Sequence, residues 1–136
     1  MVGAPIELLQ RVPLFQGLDR GELEQVARLF KERHFSQGET VVMEGTGGAA
    51  FFVIASGEAM VAVGAAERPA LKAGDYFGEI ALIDQGSRSA TVTAASDLLC
   101  YGLTFWEFRP LVEGSGVIAW KLLESLAKKL RSAQAD

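Results

Sequence analysis

Apolar residues recur along this chain with two different periods. In "LDRGELEQVARLFKERHF", which begins at Leu18, Leu23, Val26, Ala27 and Phe30 follow the spacing of one helix face, and Asp19 stands where an N-cap belongs. Helices are therefore expected over residues 5–31. From His34 onward the pattern changes to short β-branched, aromatic and small apolar runs: "TVVME", "FFVIA", "EAMVAV", "SATVTA" and "LLCYGL". Glycines at 38, 45, 47, 48, 57, 64, 74 and 86 punctuate them. Short strands separated by glycine turns predict an all-β barrel or jelly roll over residues 32–103. The helical period returns in "TFWEFRPLVEG" and "SGVIAWKLLESLAKKLRSA", with Thr104 and Ser115 as caps, and places C-terminal helices over 104–133. The expected fold class is mainly β, with flanking N- and C-terminal α-helices.

Composition limits what such a unit can be. With 136 residues, 49% of them hydrophobic, the chain has material for one domain around one core. Thirteen Lys and Arg against 17 Asp and Glu leave a net charge of −4, which provides no electrostatic footprint for a polyanion, so direct nucleic-acid binding is not expected. The lone Cys100 excludes an internal disulfide framework and suits a reducing, cytoplasmic setting. "MVGAPIELLQRVPLF" has neither a basic n-region nor an unbroken apolar stretch, so no signal peptide or membrane association is expected.

Three features resemble sites and read better as structure. "GTGGAA", Gly45 to Ala50, fits a glycine-rich dinucleotide pattern, but "FFVIASG" follows it, a strand rather than a helix, so it reads as a hairpin loop. The single histidine, His34, lies between Arg33 and Phe35 with no HxH or HExxH spacing, which leaves no metal site, no catalytic triad and no enzyme. Lys121, Lys128, Lys129 and Arg131 lie opposite Leu122, Leu123, Leu126 and Leu130, a pattern that any helix packed on its own domain shows.

One stretch demands more. In "FGEIALIDQGSRSATV", Phe77 to Val92, a brief helix is expected to open directly after Gly78, and its unpaired amides favour an anion. Arg88, expected to begin the next strand, offers a donor fork that suits phosphate, while small Ser89 and Ala90 let a ligand approach the backbone. Glu79 is an acceptor, and beside a phosphate it makes sense only for a ligand that also offers hydroxyls, as a sugar phosphate does. The competing reading of the same spacing is a surface ion pair between Glu79 and Arg88.

On these residues, "GDYFGEIALIDQGSRSATVTA" resembles the phosphate-binding cassette of cyclic-nucleotide-binding domains, as in protein kinase A regulatory subunits and catabolite activator proteins. "VVMEG", "AFFVIASGEAMV" and the closing helices extend the resemblance over nearly the whole chain. It implies an eight-stranded β-roll (jelly roll) with flanking helices, and a regulatory module whose ligand is cAMP, with cGMP as the other candidate and no further cofactor. Glu79 would accept from the ribose 2′-hydroxyl and Arg88 would pair with an exocyclic phosphate oxygen. The backbone at Gly78, Ile80, Ala81 and Ser89, next to Ala90, would help to hold phosphate and sugar. Trp120, Leu123, Ala127 and Leu130 on the last helix would supply base contacts or a lid. Signalling would run through movement of that helix to an unknown effector protein or fused domain, with a homodimer as one arrangement. Two departures from bacterial activators are expected: the sequence stops at Asp136 where those proteins go on into a helix-turn-helix, so DNA reading is absent or was removed, and Ala133 and Gln134 stand where those proteins place hydroxyl side chains.

Overall fold

A computed structural model describes residues 3–46, 50–84 and 86–134 of the chain. The N-terminal layer contains α1 (Ile6–Leu9), a 3-10 turn at Pro13–Phe15 and α2 (Arg20–Ala27). Asp19 caps α2 reciprocally: its carboxylate accepts from the Glu22 amide at 2.8 Å, and Glu22 Oε1 accepts from the Asp19 amide at 2.9 Å.

The helix ends earlier than its periodicity suggests. Leu29 and Phe30 turn out of it through bonds from their amides to the Val26 and Ala27 carbonyls, and "KERHF" is the first strand, β1 (Lys31–Phe35). Five strong polar or helix-compatible residues become a strand because β8 (Leu98–Thr104) supplies their backbone partners, in a register from Lys31↔Gly102 to Phe35↔Leu98. β1 is a sheet edge, and the exposed charges of Lys31, Glu32 and Arg33 suit an edge that must not pair further. His34 is exposed on the same strand, with its Nε2 3.0 Å from Glu32 Oε1.

The other strands are β2 (Thr40–Val42), β3 (Ala50–Ser56), β4 (Ala59–Val63), β5 (Ala66–Leu71), β6 (Tyr76–Phe77) and β7 (Thr91–Ala94). They form two four-stranded antiparallel sheets, ordered β1-β8-β3-β6 and β2-β7-β4-β5, which together make the eight-stranded β-roll. Of the "GTGGAA" loop between β2 and β3, Gly47, Gly48 and Ala49 lie outside the described residues.

Strand β3 separates two apolar clusters by the two-residue period of its side chains. Phe52 and Ile54 enter the roll with Phe35, Val92, Leu98 and Cys100. Phe51 and Val53 face the helices and pack with Phe15, Phe30, Leu82, Phe108, Ile118 and Leu122. Phe15 makes edge or tilted contacts with Phe30, Phe51 and Phe108 at centroid distances of 6.5, 6.0 and 6.3 Å. Burial pushes the Cys100 thiol up to about 11, so it is an inert core group.

Both C-terminal helices start at the residues that cap them. Thr104 Oγ1 accepts from the Glu107 amide to open α3 (Phe105–Glu113), and Ser115 Oγ accepts from the Ile118 amide to open α4 (Gly116–Gln134), each at 3.2 Å. Glu107 also receives Lys31 Nζ at 2.8 Å. Burial alone would push its carboxyl up, but the hydrogen bonds from Lys31 and Thr104 outweigh that and hold it below the usual range. Lys121 ties α4 to α2 at Glu22 Oε1, 2.6 Å away. Among the described residues no helix is long and apolar enough to cross a membrane.

Candidate functional site

Strand β6 delivers the chain to Gly78, whose φ of +86° turns it into a 3-10 turn at Glu79–Leu82. Glycine is required here twice over. The left-handed conformation penalises any side chain, and a Cβ at this position would lie 2.6 Å from Arg88 Nη1 and 2.9 Å from the Ala50 carbonyl oxygen. The missing side chain is thus the space in which the Arg88 guanidinium lies.

Arg88 is held from three directions. Its amide donates to the Thr46 carbonyl at 2.8 Å, its carbonyl accepts from the Gly45 amide at 2.9 Å, and its Nη2 donates to the Ala50 carbonyl at 2.6 Å. It does not begin a strand as expected: β7 starts at Thr91, and Arg88 is fixed by the loop after β2. Burial lowers its pKa, and a guanidinium stays charged regardless.

Glu79 and Arg88 face one cavity. It has a volume of about 340 Å³, and Gly78, Ile80, Ala81, Asp84, Ser87 and Ser89 also line it. The two charged groups are not paired with each other. Glu79, with its side chain only 14% exposed, lies 3.4 Å through Oε1 from Lys129 Nζ of α4, and its Oε2 is shut off from water without a hydrogen-bond partner among the described residues. Within the turn the Ala81 amide donates to the Gly78 carbonyl at 3.0 Å.

A second cavity of about 400 Å³ shares Gly78, Arg88 and Ser89 with the first. Its wall is mainly apolar and comes from the second sheet and β6: Val61, Leu71, Val92, Tyr76 and Phe77, with Ala90 and Arg68. The pair therefore offers a charged compartment and an apolar one that meet at a guanidinium. Burial, followed by the charges of Glu79 and Asp75, raises the Tyr76 hydroxyl above its ordinary value.

Of the residues anticipated from sequence, Gly78, Glu79, Ile80, Ala81, Arg88 and Ser89 line the first cavity and Ala90 lines the second. The four on the last helix lie elsewhere. Trp120, Leu123, Ala127 and Leu130 are exposed on α4, and Leu123 borders a groove formed with Leu82, Phe105, Phe108 and Leu126. Val61, Arg68, Leu71 and Lys129 escaped the sequence reading. Their proximity depends on registers such as Val61↔Val92 and Val61↔Arg68, and on where α4 crosses the turn, which no local pattern reveals.

This fold and site define a small-ligand-binding β-roll with a helical cover, one that suits an anion bearing hydroxyls. The family described as the cyclic nucleotide-binding domain matches residues 32–115, and the chain belongs to that family. It is 32% identical over 129 residues to the cyclic AMP receptor protein of Thermus thermophilus, covering 91% of this chain and 60% of that one. It is 39% identical over 93 residues to a cAMP-dependent protein kinase regulatory subunit of Mycosarcoma maydis, covering 65% of this chain and 18% of that one. The N-terminal domain of a transcriptional regulator from Streptomyces coelicolor A3(2) superposes with a TM-score of 0.85 at 25% identity, over 93% of this chain and 94% of that one. The chain thus spans three-fifths or less of the length of these two curated relatives.

Proposed function

We propose that this domain is a cAMP sensor that reports occupancy through α4 to an effector protein or a fused effector domain. The observation that supports it most is that Glu79 and Arg88 line one cavity without neutralising each other. An acceptor for a hydroxyl and a cationic fork for a phosphate oxygen are both available there to one ligand. The cyclic phosphate would pair with Arg88, the ribose 2′-hydroxyl would donate to Glu79, and the Gly78, Ile80 and Ser89 backbone would border both. The base would lie in the adjoining apolar cavity against Val61, Leu71 and Val92. Two relatives carry cAMP in their names, the receptor protein and the kinase regulatory subunit, and a third, of Toxoplasma gondii, is a cGMP-dependent protein kinase, so cAMP is the first candidate and cGMP the second.

A domain that kept the fold without binding nucleotide is the other reading. Its simplest form pairs Glu79 with Arg88, and that pair is not among the ion pairs of the described residues. Titration calorimetry with cAMP decides between the two. The wild-type domain should bind with a Kd of about 1–10 μM or tighter, and Arg88→Ala should weaken binding by at least about tenfold, the equivalent of one charge-assisted hydrogen bond. Equal affinities for the two proteins, with the fold intact, would remove the phosphate role.

A further inference from the structure

Glu79 cannot be understood from its own turn alone. Its carboxylate is largely buried, and among the described residues the one cation within ion-pair distance is Lys129, which comes from α4, fifty positions along the chain. Lys129 itself is 49% exposed, and between two exposed groups such a contact would count for little. The burial of Glu79 changes that balance. A buried carboxylate that loses its counter-charge must recover solvent or change its position, and either outcome removes it as a fixed acceptor. Lys129 approaches Oε1, while Oε2 is shut off from water and has no hydrogen-bond partner among the described residues, so the contact from α4 is the counter-charge that this carboxylate has there.

We infer that Lys129 is a positioning residue of the ligand site: it holds and charge-balances Glu79 so that the carboxylate accepts from a ligand hydroxyl, and it thereby makes ligand affinity depend on how α4 is seated. The inference rests on the proposed reading of the cavity as a cyclic-nucleotide site. Lys121, eight positions earlier on the same helix, is bonded to Glu22 of α2 and not to the turn, so the two lysines have separable effects. By linkage, a ligand that strengthens the hold on Glu79 also strengthens the seating of α4.

Calorimetry with cAMP and with 2′-deoxy-cAMP, on the wild-type domain, Lys129→Gln, Lys129→Arg and Lys121→Gln, tests this. Lys129→Gln should weaken cAMP by about tenfold, Lys129→Arg should restore most of the loss, and Lys121→Gln should stay within about threefold of wild type. With 2′-deoxy-cAMP, wild type and Lys129→Gln should bind alike, because Glu79 then has no hydroxyl to receive. Unchanged cAMP affinity in Lys129→Gln overturns the inference. An equal loss for both nucleotides also overturns it, since Lys129 would then act on the phosphate or on the fold. A wild-type domain that binds neither nucleotide removes the reading of the site itself, and the role of Lys129 with it.

Discussion

Gly78 and Arg88 occupy each other's space: the guanidinium Nη1 lies 2.6 Å from where a β-carbon at Gly78 would be. Gly78→Ala should therefore expel the guanidinium and strain a left-handed turn, at roughly 1–2 kcal/mol for the backbone alone. Nucleotide affinity should fall by at least about tenfold while the roll stays folded. Thermal unfolding and cAMP calorimetry on one preparation check both halves, and full affinity in the alanine variant would show that the guanidinium has another place to lie.

Selectivity between cyclic nucleotides should depend on Ser89, which is exposed and lines both cavities. Its hydroxyl can meet the phosphate or a guanine amino group, so the wild-type domain should prefer cAMP only modestly. Ser89→Ala should widen that preference, by about threefold to tenfold for one neutral hydrogen bond. Competition assays read it directly, and a wild-type preference for cGMP would reverse the assignment.

Ligand should be read out at α4 and not in the roll. Close-packed strands do not deform gradually, whereas α4 exposes Trp120, Leu123 and Leu130 and can bury more than it does here. If seating over the base buries about 100 Å² of apolar surface, the gain is roughly 2.5 kcal/mol, enough to move the balance of helix positions several tens-fold. Hydrogen exchange with and without cAMP should show added protection at Gly116–Gln134. Protection limited to the cassette would mean that occupancy is not passed on by this route.

Acid should loosen the same helix. Hydrogen bonds from the Lys121 side chain and then the Asp19 backbone hold the Glu22 carboxyl below its ordinary value of 4.5, and Glu22 in turn raises the Lys121 ammonium. A depressed carboxyl contributes stability above its unfolded pKa and loses it as pH falls through the lower folded value. A raised ammonium contributes below its unfolded pKa and loses it as pH rises through the higher one. Glu107 acts with the sign of Glu22. Melting curves at about pH 7 and about pH 3 should show a smaller acid-induced drop for Glu22→Gln than for wild type. Equal drops would show that the ion pair adds nothing to the fold.

Much of this was legible in the chain. Asp19, Thr104 and Ser115 marked helix starts because capping depends on residues within a few positions of each other. The run after Gly78 was legible for a related reason: Gly78, Glu79 and Arg88 stand within eleven positions of the chain and line one cavity. The expected bounds of the roll placed "KERHF" at its start, but its own polar pattern did not show a strand, because that conformation comes from a partner more than sixty residues away. The apolar cavity wall and Lys129 were equally silent, since strand register and helix crossing are properties of the assembled fold.

Strand β3 sends alternate side chains into separate compartments, Phe51 among the helices and Phe52 inside the roll. Two neighbouring phenylalanines are therefore natural listening posts on either side of one wall. A fluorine label on the first ring would report on the packing of the helical cover, and the same label on the second, stacked on Phe77 at 5.3 Å, would report on the roll at the wall of the apolar cavity. The chain thus contains, one peptide bond apart, one reporter for its helices and one for its roll.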